Sequence, residues 1–117
     1  MIKSYKDLDV WKKAIELVEE IYVATRKFPK EELYGIINQM RRSAISIPSN
    51  IAEGKTRQHV NEYVQFLYIA LGSCAELETQ VIIASKLGYL IGKQAETILE
   101  KIDHVARMAR NLVKSLR

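Results

Sequence analysis

The chain has 117 residues, of which 48% are apolar, and 18 basic against 14 acidic side chains give a formal net charge of +4. That length makes one domain, residues 1–117, large enough for a single core without staples, and five Gly and two Pro are too few for a loop-rich or disordered chain. The one cysteine, Cys74, excludes an internal disulfide and any metal site built from cysteines.

The amino terminus, Met1 to Asp7, has no apolar run after its lysines and does not read as a signal peptide. With a single thiol, a reducing cytoplasm is the expected compartment. No stretch reads as approaching the length of a membrane span, so no membrane partner is expected.

The first helix is expected to begin near Asp7 or Asp9, either of which could cap it. Leu8, Trp11, Ile15, Val18 and Tyr22 supply a stripe at alternating three and four spacing, and Lys12, Lys13, Glu16, Glu19 and Glu20 lie elsewhere. Phe28-Pro29 ends it, because the residue before proline is pushed out of helical geometry. Pro29 can then open the next helix, with Glu31 and Glu32 in its positive first turn.

The second helix carries Leu33, Ile37, Met40, Ala44, Ile47 and Ile51 on one face. Ser43, Ser46, Ser49, Asn50, Ala52 and Gly54 leave little bulk beside that face, so another helix can approach closely. Pro48 cannot donate to the Ala44 carbonyl and its ring crowds that turn. A kink is expected there rather than a stop, since the stripe continues in phase to Ile51. Asn50, Ser46 or water is the natural group to satisfy the freed carbonyl, whose burial unpaired would cost roughly 1–3 kcal/mol.

Gly54 to His59 is polar and reads as a connection. The third helix is predicted from about His59 to Leu87, with the stripe Tyr63, Leu67, Ala70, Cys74, Leu77, Val81 and Ala84, widened by Phe66 and Leu71. Gly88 stands where a left-handed C-terminal cap belongs. The last helix carries Ala95, Ile98, Ile102, Val105, Ala109, Leu112 and Leu116. Four in-phase stripes with short joints predict an all-α, antiparallel, up-down-up-down four-helix bundle with its second helix kinked at Pro48.

Val10, Leu17, Ile21, Ile36, Ile45, Val64, Ile83 and Val113 fall outside those stripes. They are more apolar positions than one small bundle readily covers, so some are expected between subunits of a homo-oligomer.

Charge is unevenly placed. Arg107, Arg110, Lys114 and Arg117 step three, four and three along the last helix, with no acid after Asp103. Arg41, Arg42, Lys55 and Arg57 flank the central segment, opposed only by Glu53. Several cations on one surface suit RNA or DNA phosphates without base-specific geometry. A solvated helix end whose cations favour the dipole is the competing explanation. Tyr22, Tyr63 and Phe66 lie on or beside the packing stripes, whereas Tyr68 lies off them.

Catalytic signals are weak. His59 and His104 are the only histidines, and neither has a Glu three residues before it, as a di-iron bundle requires, since those positions hold Thr56 and Lys101. Cys74 sits on an apolar stripe, where an inert thiol is expected. No phosphate loop or nucleophile elbow is present. No cofactor, metal or small-molecule substrate is expected, and Ser46, Pro48, Asn50, Glu53 and Gly54 read as a structural motif rather than a reactive site.

The sequence is also familiar at family level. Leu8 to Ala14, Phe28-Pro29, Glu32 to Gly35, the Arg41 to Gly54 segment with Ser-Ile-Pro-Ser-Asn-Ile-Ala-Glu-Gly, Gly72-Ser73, Glu76 to Gln80 and Leu87-Gly88-Tyr89 carry the likeness. Together they resemble the bacterial four-helix-bundle family named after proteins encoded in intervening sequences of large-subunit ribosomal RNA genes, a family similar to accessory proteins of diversity-generating retroelements. The resemblance implies a four-helix bundle that assembles into a ring, a homopentamer, and it names no substrate. The resulting expectation is a non-enzymatic, oligomeric binding protein for RNA or DNA, with a protein-protein interaction or scaffold module as the alternative and an unrecognised enzyme as a third.

Overall fold

The computed structural model describes residues 2–117. After a single 3₁₀ turn at Tyr5–Asp7, the chain forms α1 (Asp9–Thr25), α2 (Asn38–Lys55), α3 (Val60–Lys86) and α4 (Gln94–Leu116). Each helix packs against its neighbours in sequence, and α4 returns to α1, which closes an up-down-up-down bundle of 43 × 25 × 20 Å. The α2/α3 seam is the most extensive and α1/α4 the least.

The stripe of α3 is buried as the spacing predicts, from Tyr63 through Ala84, and the helix ends are His59 as N-cap and Leu87 as C-cap. At its carboxyl end Gly88 adopts φ +81°. The Tyr89 N–H bonds to the Ala84 carbonyl at 3.0 Å and the Gly88 N–H to that of Ser85 at 3.1 Å. This pair of bonds is a Schellman cap, which only a left-handed residue at position 88 permits. The stripe of α4 is also buried along Ile98, Ile102, Val105 and Ala109, joined by Val113.

In α2 the inner face is Ile37, Met40, Ala44, Ile47 and Ile51, while Leu33 is 47% exposed. Leu33 falls in a π-helical turn, Leu33–Ile37, where the period of the stripe is lost and Gly35 takes φ −108°, ψ −118°. Pro29 is the N-cap of a 3₁₀ turn, Lys30–Glu32, rather than the first residue of an α-helix. Helix α2 runs unbroken through Pro48. Asn50 Nδ2 donates to the carbonyl and hydroxyl of Ser46, at 2.8 and 2.9 Å, so it does not serve the Ala44 carbonyl as expected.

Small residues do close the α2/α3 seam. A Cβ on Gly54 would stand 2.8 Å from Phe66 Cβ and 3.2 Å from the Tyr63 carbonyl, so α3 approaches to a distance only glycine allows. Farther along the seam the Ser46 and Ser73 hydroxyls share a 2.8 Å hydrogen bond.

Helix α1 departs most from expectation. Its buried residues are Val10, Ala14, Leu17, Ile21 and Ala24, whereas Trp11, Ile15, Val18 and Tyr22 are only half-buried. Both sets have helical spacing, so α1 carries two apolar faces, and the one with Ala14 and Ala24 is turned inward. Val64 and Val113 are also interior. Of the eight apolar residues outside the expected stripes, Val10, Leu17, Ile21, Val64 and Val113 therefore belong to the core, and Ile36, Ile45 and Ile83 retain exposure. Nor does either aspartate cap α1, whose N-cap is Leu8. Asp7 instead accepts the N–H groups of Lys3 and Ser4, which hold its carboxyl below the usual range.

One expectation on hydropathy is overturned. The 27 residues of α3 include an 18-residue window of mean hydropathy 1.4 that is only 33% buried, long and apolar enough to cross a membrane by length and composition. Its inner stripe packs on α2 and α4, and its excess apolarity lies on the outward face at Ile69, Ile82 and Ile83.

Candidate nucleic-acid interface

The central basic group is split by the fold. Arg41 lies toward the start of α2, where its Nε donates to Thr25 Oγ1 at 3.0 Å and its guanidinium stands 4.5 Å from the Tyr22 ring centroid. It fastens α2 to the end of α1. Arg42, one residue on, is exposed. Fourteen residues of helix, about 21 Å of rise, separate Arg41 from Lys55. The two halves therefore lie at opposite ends of the bundle.

Lys55 and Arg57 stand where α2 gives way to α3. Lys55 Nζ is 5.9 Å from the Tyr63 ring and the Arg57 guanidinium 4.8 Å from that of Phe66. Arg57 also pairs with Glu53 at 2.8 Å, an exposed pair of small energetic weight. From α4, Arg117 reaches the same first third of α3 and donates to the Tyr68 hydroxyl at 3.2 Å. The ends of three helices thus bring Lys55, Arg57 and Arg117 onto one end of the bundle, with exposed Lys114 one turn before Arg117.

The stripe on α4 is not uniform. Arg107 is paired with Asp103 at 3.0 Å, so the last acid of the sequence cancels the first cation. Arg110 lines the α3/α4 cleft with Leu71, Cys74, Glu78 and Ala106. Burial pushes the Cys74 thiol up to about 11, against the opposing pull of Arg110, which leaves it a protonated core group. The aromatics that hold the cations, Tyr63, Phe66 and Tyr68, crowd the start of α3 beside Arg57. That clustering was visible in the sequence, but spacing assigned the first two to packing.

The remaining motif residues are structural in placement. Ser46, Asn50 and Gly54 face α3, Glu53 holds Arg57, and Pro48 is buried beside the α1/α2 groove. Among the described residues no group of three or more His, Cys, Asp or Glu is arranged to hold a metal. His104 lines the α1/α4 cleft with Glu16, Glu20 and Lys101, and His59 precedes α3. The Tyr63 hydroxyl is buried with no hydrogen-bond partner among the described residues, and burial raises its pKa.

Residues 6–111 match the family model described as 23S rRNA-intervening sequence protein. The chain belongs to the 23S rRNA-intervening sequence protein family. A solved structure from Bacteroides thetaiotaomicron VPI-5482, described as a protein with unknown function from the S23 ribosomal protein family, is similar with a TM-score of 0.82 and 23% identity. The likeness covers 90% of this chain and 98% of that one, and it shows that the bundle is shared. No curated protein matches.

Proposed function

We propose that this member of the 23S rRNA-intervening sequence protein family is a non-enzymatic cytoplasmic protein that assembles with copies of itself and binds RNA or DNA through phosphates. The observation that carries the reading is the gathering of Lys55, Arg57, Lys114 and Arg117 at one end of the bundle, beside Tyr63, Phe66 and Tyr68. Arg110 extends this surface along α4, whereas Arg107 is paired with Asp103 as Arg57 is with Glu53, so each of these two offers less free charge than Lys55, Lys114 or Arg117. Arg41 and Arg42 lie at the far end and are set apart from it. Such a surface meets a polyanion without reading bases. The resemblance favours a ring of five copies, which would present the basic end repeatedly.

A salt titration with labelled RNA and DNA oligonucleotides tests this. Each phosphate contact adds roughly 0.7–0.9 to the slope of log affinity against log salt, so Lys114→Gln with Arg117→Gln should lower the slope by about 1.4 to 1.8 while leaving the fold intact. A parent protein that binds neither polymer at low salt transfers the function to a scaffold for a protein partner. The exposed apolar residues of α3 favour that second reading.

A further inference from the structure

Two apolar surfaces on opposite sides of the bundle are left without partners. The first is a groove of about 270 Å³ between α1 and α2, lined by Tyr5, Trp11, Ile15, Val18, Ile45, Pro48, Ser49 and Ala52. Ser49, the Tyr5 hydroxyl and the Trp11 indole N–H are the polar groups that its lining side chains carry. The second is the outward face of α3, where Ile69 is 45% and Ile83 44% exposed. Helices α1 and α3 are diagonal in the bundle, so the ridge of one copy cannot reach its own groove.

Gly72 lies in the middle of that ridge. A glycine inside a helix costs about 1 kcal/mol relative to alanine, and nothing lies within 4 Å of where its Cβ would stand. The monomer gives no reason for it, whereas a second chain packed closely on the ridge does. The levels agree as well. Ser46 bonds Ser73, and Gly54 packs on Tyr63 and Phe66, so the antiparallel register places Gly72 level with Pro48, at the centre of the groove.

Charge follows the same register. One turn beyond Ser46 stands Arg42, and one residue short of a turn beyond Ser73 stands Glu76, both exposed and in no salt bridge among the described residues. The acids nearest the groove are engaged elsewhere: Glu16 and Glu19 line the α1/α4 side, and Glu53 holds Arg57. A neighbour displaced sideways with its axis parallel brings Glu76 opposite Arg42.

We infer that the α3 ridge around Gly72 docks into the α1/α2 groove of a second copy, head to tail, with Glu76 of one chain facing Arg42 of the other. This rests on the self-assembly proposed above and names the surfaces that perform it. A contact between two different faces repeats from copy to copy and closes into a ring when the rotation permits. Ridges meeting grooves at helical spacing is the ordinary means by which such helices pack.

Light scattering on the full chain tests it with Ser49→Arg blocking the groove and Gly72→Arg blocking the ridge. Both positions are exposed, and circular dichroism melts verify that each variant folds. The parent should assemble and each variant should run as a monomer. A one-to-one mixture should give a species of two chains and nothing larger, because one intact groove then meets one intact ridge. Arg42→Glu should raise the dissociation midpoint at least about tenfold, and adding Glu76→Arg to the same chain should restore it. A monomeric parent overturns self-assembly itself. A parent oligomer whose mass survives either substitution, or a mixture that stays monomeric, overturns the pairing of these two faces while leaving self-assembly standing.

Discussion

Helix α2 builds two unlike sides. Toward α3 it presents Ser43, Ser46, Asn50 and Gly54, which close the seam through small volume and hydrogen bonds, and toward α1 it presents Ile45, Pro48 and Ala52, which border an open groove with Trp11 and Val18. Both sides follow a helical period. The difference teaches that small residues, rather than large apolar ones, mark where this bundle is tightest, because backbones approach only where side chains are short.

The sharpest way to break the comparison is to change one residue on each side, enlarging one in the closed seam and shrinking one in the open groove. Gly54→Leu drives a side chain into Phe66 and the Tyr63 backbone and forces α3 away from α2, and should cost about 3 kcal/mol or more in urea unfolding. Ile45→Ser, in the groove and 42% exposed, should change the same measurement in monomeric protein by about 0.5 kcal/mol or less. Equal losses at both positions would erase the distinction.

Alkaline titration gives a smaller effect from the closed interior. In the folded chain the Cys74 thiol keeps its proton to about 11, against 9.0 for the ordinary group. Above pH 9 the unfolded chain releases that proton while the folded chain retains it, so stability is full below 9 and falls as pH rises toward 11. The loss should reach about 2–3 kcal/mol, and Cys74→Ala should remove that part of the pH dependence. Denaturant midpoints of parent and variant between pH 8 and 11 measure it.

The smallest effect concerns the hydroxyl pair. Ser46→Ala should cost about 1–2 kcal/mol, since Ser73 and Asn50 lose a partner, and Ser73→Ala should cost about 1 kcal/mol. The double variant should lose less than the sum in a mutant cycle, because the two residues share one bond. Additive losses would show that the hydroxyls act independently.

The candidate site was legible in part. Residue types and spacing brought out the cations of α4 and those flanking α2, and Tyr68 stood out as the aromatic off the stripes. Arg110, Lys114 and Arg117 do follow a helical arc. The i,i+4 spacing of Asp103 and Arg107 was readable in the sequence as a pair within one helix, whereas nothing in the spacing shows that Arg41 is drawn to Thr25 and Tyr22 at the far end. That contact depends on side-chain reach between helices, and a one-dimensional pattern of charge does not carry it.

The amino-acid order by itself determined the four helices, the inner stripes of α3 and α4, the cap at Gly88 and the close approach along α2. Each of these rests on a period or a residue property that acts within a few positions of the chain. Only the tertiary structure decided which apolar face of α1 lies inside, because Trp11, Ile15 and Val18 and the inner set Val10, Ala14 and Leu17 are equally helical in spacing. How α2 and α4 meet α1 settles it: the face with Ala14 and Ala24 lies inside, and Trp11, Ile15 and Val18 line the groove.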